Sequence, residues 1–378
     1  MNFKKSDAIV PINIGLTQGL ATTFFAVIAT RLGATPLIIG FISSAPYFGN
    51  IFGPFWSNIT EKIKLNKILS IAIFIASIIL FSLSFTKGAL FFAFLVIIYY
   101  IFFGAWDVLY PSLIDSLYSD LAVNVLAHFN EFRSSSYTLI VVFSGFIMEL
   151  WGYKINFLLA STVLLISGIV IFKSKLFTSS DDLEKINNFA ILKEDPKIMK
   201  LVSFFMVAGT AMLMMLPAIP ILEVNILNLS NAKIGVLIGI NSIAYIIGME
   251  IWSRYVKNIS HLYITFSIGI VNIVTMAFIY ALFPNYTNMI IANIFCGIGE
   301  SSVSFFWQTF SISYPDYRTE DLSSLHLFTC GIRGIYAPLL GALIISIFNI
   351  KINFLLSIVL LLIALMLFLF KGKDIFTD

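Results

Sequence analysis

Asp107, Glu300 and Arg333 each lie within a long apolar run, where an ionisable side chain is unexpected. The two acids have matching neighbours. Tyr100, Gly104, Asp107, Pro111 and Asp115 follow one another at spacings of 4, 3, 4 and 4, and Asn293, Gly297, Glu300, Ser304 and Gln308 repeat those spacings 193 residues later. On a helix such spacing keeps each set on one face. A charge in hydrocarbon costs roughly 2.5–3.5 kcal/mol on insertion scales, so it is placed in a cavity or against a partner. The chemistry on offer is recognition of a solute or carriage of a proton by a carboxylate. The alternative is a structural ion pair between Arg333 and one acid. A single arginine cannot match two acids, so at least one of them is read as functional. Trp307, Gln308, Asn293 and Tyr100 join the candidate binding set. Asn13 and Gln18 in the first apolar run could hydrogen-bond a solute, although small polar residues also mediate helix packing. Trp106, one residue off the Asp107 stripe, reads as packing.

These residues need elements to hold them, and composition says of what kind. The chain has 378 residues, 59% of them hydrophobic and 11% charged, with a mean hydropathy of +0.96. A water-soluble surface needs about a quarter charged residues, so the expected solvent is a bilayer. Cutting the sequence at charges and polar clusters predicts twelve spans, near 8–29, 36–56, 67–86, 89–113, 132–150, 155–173, 200–223, 233–252, 260–282, 288–312, 323–348 and 352–370. The runs are continuously apolar, without the alternation of barrel strands, so they predict helices. Lys4 and Lys5 precede an apolar stretch too long for a signal core, which reads as the first span. With the amino terminus inside, seventeen Lys and Arg fall on cytoplasmic segments, Arg133 among them, and five on outer loops. That bias predicts a multi-pass protein of the cell membrane with both termini cytoplasmic. Glu149 and Glu223, at outer helix ends with Arg31, are expected to make interfacial contacts. Pro217 and Pro220 are expected to bend the seventh span.

The halves repeat. Lys-Ile-Asn-Phe-Leu-Leu stands at 154–159 and again at 351–356, each followed by a Phe-Lys-x-Lys end, at Phe172 to Lys175 and Phe370 to Lys373. The Leu32 to Gly40 and Leu227 to Gly235 loops correspond, as do Trp56-Ser57 and Trp252-Ser253. The offsets of 195 to 197 residues cover six spans, an even number. The halves are therefore expected as parallel repeats about an axis along the membrane normal. The expected fold is all-α, twelve transmembrane helices in two pseudo-symmetric six-helix bundles. The bundles run over 1–173 and 200–378, joined by a cytoplasmic linker at 174–199.

This organisation resembles the major facilitator superfamily, and the loop after the second span adds a degraded motif. Glu61 and Lys62 stand at the family's acid–base pair, with Lys64 and Lys67 as trailing positive charge; Ser57 and Lys64 replace its two glycines. The second-half copy, Ser253 to Lys257, lacks the acid. The resemblance implies that Glu61, with Lys62, helps hold the cytoplasmic ends together in one conformation. It also implies that spans 1, 4, 7 and 10 line a central cavity, with span 11 beside them. Drug–proton antiporters of the family carry an arginine four residues before a glycine matching Gly104; here that residue is Tyr100. Their helix-5 glycine–proline stretch is also missing, and only Ala337 to Ala342 in span 11 looks similar.

The expected activity is secondary active transport of a small organic solute by alternating access, with proton coupling as one form of it. The rival readings are a transport-inactive receptor or scaffold and an integral-membrane enzyme. The sequence carries no HExxH, paired CxxC or P-loop, and His128, His261 and His326 are read as loop or loop-edge residues. Cys296 and Cys330 are read as small buried hydrophobes. No cofactor, metal or nucleic acid is expected. The partners are a solute, protons in the coupled form and the lipid bilayer, and the protein is expected as a monomer.

Overall fold

A computed structural model describes residues 8–60, 62–118, 122–174, 188–258, 260–314 and 319–376. Among these the regular elements are helical. In chain order they are α1 (Ile9–Leu20), α2 (Phe25–Arg31), α3 (Pro36–Ile51), α4 (Gly53–Thr60), α5 (Leu65–Leu83), α6 (Ala89–Tyr118), α7 (Ala122–Trp151) and α8 (Tyr153–Lys173). There follow α9 (Asn188–Glu194), α10 (Pro196–Met214), α11 (Ala218–Ile221), α12 (Asn231–Tyr255), α13 (His261–Leu282), α14 (Tyr286–Ser313), α15 (Thr319–Ile347) and α16 (Ile350–Lys371). Eleven helical stretches among the described residues are long and apolar enough to cross a membrane. The segment expected as the second span comes as two shorter helices, α3 and α4, interrupted at Phe52. Side chains cap several starts: Thr35 accepts from Ile38 N–H, Asp195 from Lys197 N–H, Asn285 from Asn288 N–H and Asn349 from Ile352 N–H. Each satisfies a backbone donor that the first turn leaves orphaned.

The chain divides into two compact units, one of Met1–Asp182 with Leu229–Gly239, the other of Leu183–Asn228 with Ile240–Asp378. Their internal packing follows one scheme. In the first unit α1 packs on α7 and α8, and α5 on α6 and α8. In the second, α10 packs on α15 and α16, and α13 on α14 and α16. The duplicated hexapeptide has the same task in each. Asn156 donates to the Ser144 carbonyl at 3.1 Å, and Asn353 to the Gly341 carbonyl at 3.3 Å. Donors and acceptors are both separated by 197 residues, the offset of the sequence repeat. Asn156 makes two further bonds, to Ser144 Oγ at 2.6 Å and to the Leu20 carbonyl at 3.2 Å.

The first long helical stretch of each unit breaks at an equivalent point. The first span leaves α-geometry at Ala21 and passes through a 3₁₀ turn, Thr22–Phe24, before α2. The seventh is interrupted between Met214 and Ala218, at Pro217, then runs through α11 into a π turn at Leu222–Ile226. The bend expected from Pro217 and Pro220 is therefore a full interruption. In the first span, which has no proline there, hydroxyls do the capping: Thr22 and Thr23 both donate to the Gln18 carbonyl, at 3.2 and 2.9 Å.

Several local expectations are corrected. Helix α7 starts ten residues before the expected span, so Arg133 is an interior helical residue rather than a flanking charge. Glu223 is buried, 4% exposed. Arg31 and Glu149 do make the expected end contacts: Arg31 donates to Asn231 Oδ1 at 2.8 Å, and Glu149 accepts from Asn231 N–H at 2.8 Å. Arg254 finds an acid one turn earlier on its own helix, Glu250 at 2.6 Å, an exposed pair of small energetic weight. The expected linker lies largely outside the described residues, which resume with α9 ending just before Pro196.

Asn156→Leu should destabilise the protein more than Asn353→Leu, because three hydrogen bonds are lost rather than one. With interhelical bonds in membranes worth about 0.6 kcal/mol each on average, the difference amounts to a few degrees or less in thermal midpoint. Thermal unfolding of the two variants in one detergent measures it; equal midpoints would contradict the hydrogen-bond assignment.

Candidate functional site

In the first unit a cavity of about 440 Å³ opens beside the break in the first span. Gln18, Thr22 and Thr23 line it from that span, Tyr100 from α6, and Arg133, Ser134 and Tyr137 from α7. The break explains why the first span presents hydroxyls here: the turn needed to cap the Gln18 carbonyl brings Thr22 and Thr23 to the rim. Close packing fixes the α7 side. A Cβ on Gly15 would overlap the Arg133 carbonyl and Ser136 Oγ, so only glycine lets α1 approach α7 this closely. Ser136 also donates to the Ile12 carbonyl at 3.0 Å, fixing the register of Arg133 against α1.

Arg133 reaches Asp107, with Nη1 3.9 Å from Oδ1. Asp107 is half-exposed, its side chain 53% accessible against 32% for Arg133, so the pair faces open space rather than packed core. Tyr100, two turns before Asp107 on α6, lines the same cavity. Gln18, Tyr100 and Asp107 are thus gathered in one place, and Arg133 completes the group. The sequence did carry a signal for Arg133: Arg133, Tyr137 and Ser144 lie on one helical face. As a basic residue at the edge of an apolar run, it had the look of a topological charge.

Asn13 is not among the residues that line this cavity; its carbonyl accepts from Thr17, itself buried in packing. Trp106 is buried and stacks on Tyr110, as packing. Lys62 is exposed at the end of α4, in a groove with Phe55, Asn58 and Ile59. Glu61, its expected gate partner, lies outside the described residues.

The second unit holds the other candidates. Glu300 is half-buried and accepts a long hydrogen bond, 3.5 Å, from the Asn241 amide. Among the described residues it makes no ion pair, with Arg333 or any other cation. Asn241, on α12, was not picked out by spacing. Asn293 is turned into the bundle, where its amide donates to Tyr280 Oη at 3.0 Å. Gln308 is exposed. Trp307 and Arg333 are both buried, in a cluster with Phe205, His326 and Cys330. Two expectations change here. His326 is a residue of α15 stacked on Trp307 at 4.3 Å rather than a loop-edge residue, and Cys330 accepts from Arg333 rather than serving only as a small hydrophobe. No group of three or more His, Cys, Asp or Glu among the described residues could hold a metal ion.

A family profile described as Major Facilitator Superfamily matches residues 9–335. The chain belongs to the major facilitator superfamily. It is a multi-pass membrane protein of a transporter family, and its all-helical fold agrees with those of solved relatives. The nucleoside transporter NupG superposes with a TM-score of 0.78 at 14% identity, over 100% of each chain. A POT family transporter in complex with 5-aminolevulinic acid gives 0.75 at 13%, over 99% of this chain and 96% of that one. A bacterial homologue of the human lysosomal transporter Spinster gives 0.73 at 11%, over 97% and 96%. At such identities the likeness concerns fold. No curated protein sequence matches this superfamily member.

The Asp107–Arg133 pair predicts a non-additive mutant cycle. Asp107→Asn or Arg133→Gln alone leaves one charge uncompensated, whereas the double variant leaves none. The double variant should recover part of the thermal stability lost by the worse single variant. Strictly additive losses in a melting assay would show that the two side chains do not interact.

Proposed function

We propose that the protein is a secondary active transporter of a small polar organic solute, working by alternating access. The observation that carries this reading is the first-unit cavity, where Arg133, its Nη1 3.9 Å from Oδ1 of the half-exposed Asp107, lines the wall with Gln18, Thr22, Thr23, Tyr100 and Tyr137. A guanidinium, an amide and several hydroxyls on one rim, with a carboxylate paired to that guanidinium, suit a solute rich in hydrogen-bonding groups. The aromatic rings of Tyr100 and Tyr137 offer it a flat apolar surface. Sugars, nucleosides and zwitterionic amino compounds share that description. The solved relatives that transport a nucleoside or bind 5-aminolevulinic acid are in keeping with such a class.

We assign proton coupling to Glu300 rather than to Asp107. Protonating Asp107 would strand the Arg133 charge, whereas Glu300 has among the described residues no cation to strand and only the Asn241 amide and the Cys296 thiol to reorient. The reading includes twelve spans in two parallel six-helix bundles, both termini in the cytoplasm of a cell-membrane protein, and a cytoplasmic gate at Glu61 and Lys62. Repeated internal packing, the paired breaks in the first and seventh spans and the charge bias of the loops support it.

The test is uptake into proteoliposomes across a panel of sugars, nucleosides and amino acids, with and without an inward pH gradient. A transporter accumulates one class; a receptor, scaffold or enzyme moves none. With the substrate in hand, Glu300→Gln should abolish gradient-driven accumulation while leaving substrate exchange intact. Asp107→Asn should weaken both, by about tenfold or more, because a charged hydrogen-bonding partner of the solute is removed. Undiminished gradient-driven uptake by Glu300→Gln would overturn the coupling assignment.

A further inference from the structure

Arg333 is 6% exposed, on α15 facing α10 of the same unit. Its Nη1 donates to the Phe205 carbonyl at 2.7 Å and its Nη2 to Cys330 Sγ at 2.9 Å. Both partners are neutral. Among the described residues the guanidinium makes no ion pair. A guanidinium has five N–H donors and stays protonated in any protein setting, so among the described residues most of its capacity is unspent and its charge has no counter-ion. A buried cation in that condition is costly, and the cost is relieved by an anion.

A second unspent donor belongs to the same cluster. Trp307 is 5% exposed, and its indole N–H is buried with no partner among the described residues. Its ring stacks on His326, whose Nε2 is 3.4 Å from Cys330 Sγ, the atom that Arg333 holds. The wall opposite the guanidinium is Gly209. A methyl there would press against Arg333 Nε at 2.5 Å and Cζ at 2.7 Å, so glycine is what leaves the planar group its place.

We propose that Arg333 and Trp307, with Cys330 beside them, form a recognition site for a compact anion. The anion is a carboxylate carried by the solute or a free inorganic ion. This site is built within the second unit, and it does not depend on Glu300 carrying a proton. A carboxylate or a halide accepts from the free guanidinium donors and from the indole N–H, and it cancels the buried charge.

The thiol reports on occupancy. The full-length protein in nanodiscs is treated with N-ethylmaleimide at constant ionic strength, and peptide mass spectrometry follows Cys330 and Cys296 separately. Acetate, chloride and neutral acetamide are the probes. An anion at about five times its dissociation constant should slow Cys330 labelling roughly sixfold and leave Cys296 unchanged. Acetamide should not protect, and Arg333→Gln should remove the protection. Protection by acetate alone assigns the site to a solute carboxylate; protection by chloride alone assigns it to an inorganic ion. If Cys330 is inert to the reagent, the thermal midpoint serves instead, rising with the anion and not with acetamide. If Arg333→Gln does not fold, Gly209→Ala should cut the protection in the same direction. The proposal falls if neither anion changes either readout, or if Arg333→Gln is protected as well as the unmodified chain.

Discussion

Inside a bilayer no water is available to satisfy a peptide N–H or C=O, so the chain must satisfy its own backbone along almost its whole length. Helices do this residue by residue, and that requirement shapes everything else here. Where a helix breaks, the freed groups need local partners. In the first span the break at Ala21–Phe24 is met by a 3₁₀ turn and by two threonine hydroxyls on the Gln18 carbonyl. In the seventh it falls at Pro217, which has no N–H to satisfy. The same need that interrupts the first span delivers Gln18, Thr22 and Thr23 to a cavity. A cavity wall and a backbone repair are one feature.

Most other buried polar groups are handled quietly. Thr17, Ser70 and Thr265 return their hydroxyls to the carbonyl one turn earlier, and Ser77 and Ser161 bond across α5 and α8. Asn156 and Asn353 do the same at the duplicated position. These residues fix helix register and need no ligand to be stable. Against that background the charged residues stand apart, and each stands apart differently. Among the described residues Asp107 has a cation at the limit of ion-pair distance, Glu300 has a weakly bonded amide and a thiol, and Arg333 has two neutral acceptors. A protein built only for stability would have little use for three incompletely compensated charges in apolar helices. A transporter needs groups whose best partner is the passing solute or proton, since a group already satisfied gains nothing by binding.

Much of this was legible in the amino-acid order. Continuous apolar runs, too few charges for a wet surface and a repeat offset of 195 to 197 residues lead to a duplicated helical membrane protein. The 4-3-4-4 stripes marked Tyr100 and Asp107, and Gln18 was marked from the first run; all three come to one cavity rim or its ion pair. Hydropathy and helical period are local properties, and they survive translation into structure because each helix satisfies itself. For the same reason the run at 36–56 could be marked as apolar while the interruption at Phe52 could not.

What tertiary structure alone decided is partnership. Arg133 had the look of an orienting charge until the bare face of Gly15 let α1 and α7 close up and turned it toward Asp107. Asn241 and Glu300 are 59 residues apart in sequence, and His326 belongs to an aromatic cluster rather than to a loop edge. Asn293 shares the stripe of Glu300 yet spends its amide on Tyr280. A stripe names a face and says nothing of what lies across from it. That depends on the rotation and closeness of two helices distant in sequence, which are set by packing of small residues and carbonyls over many contacts at once. Charge position is written in the chain; charge compensation is written only in the fold.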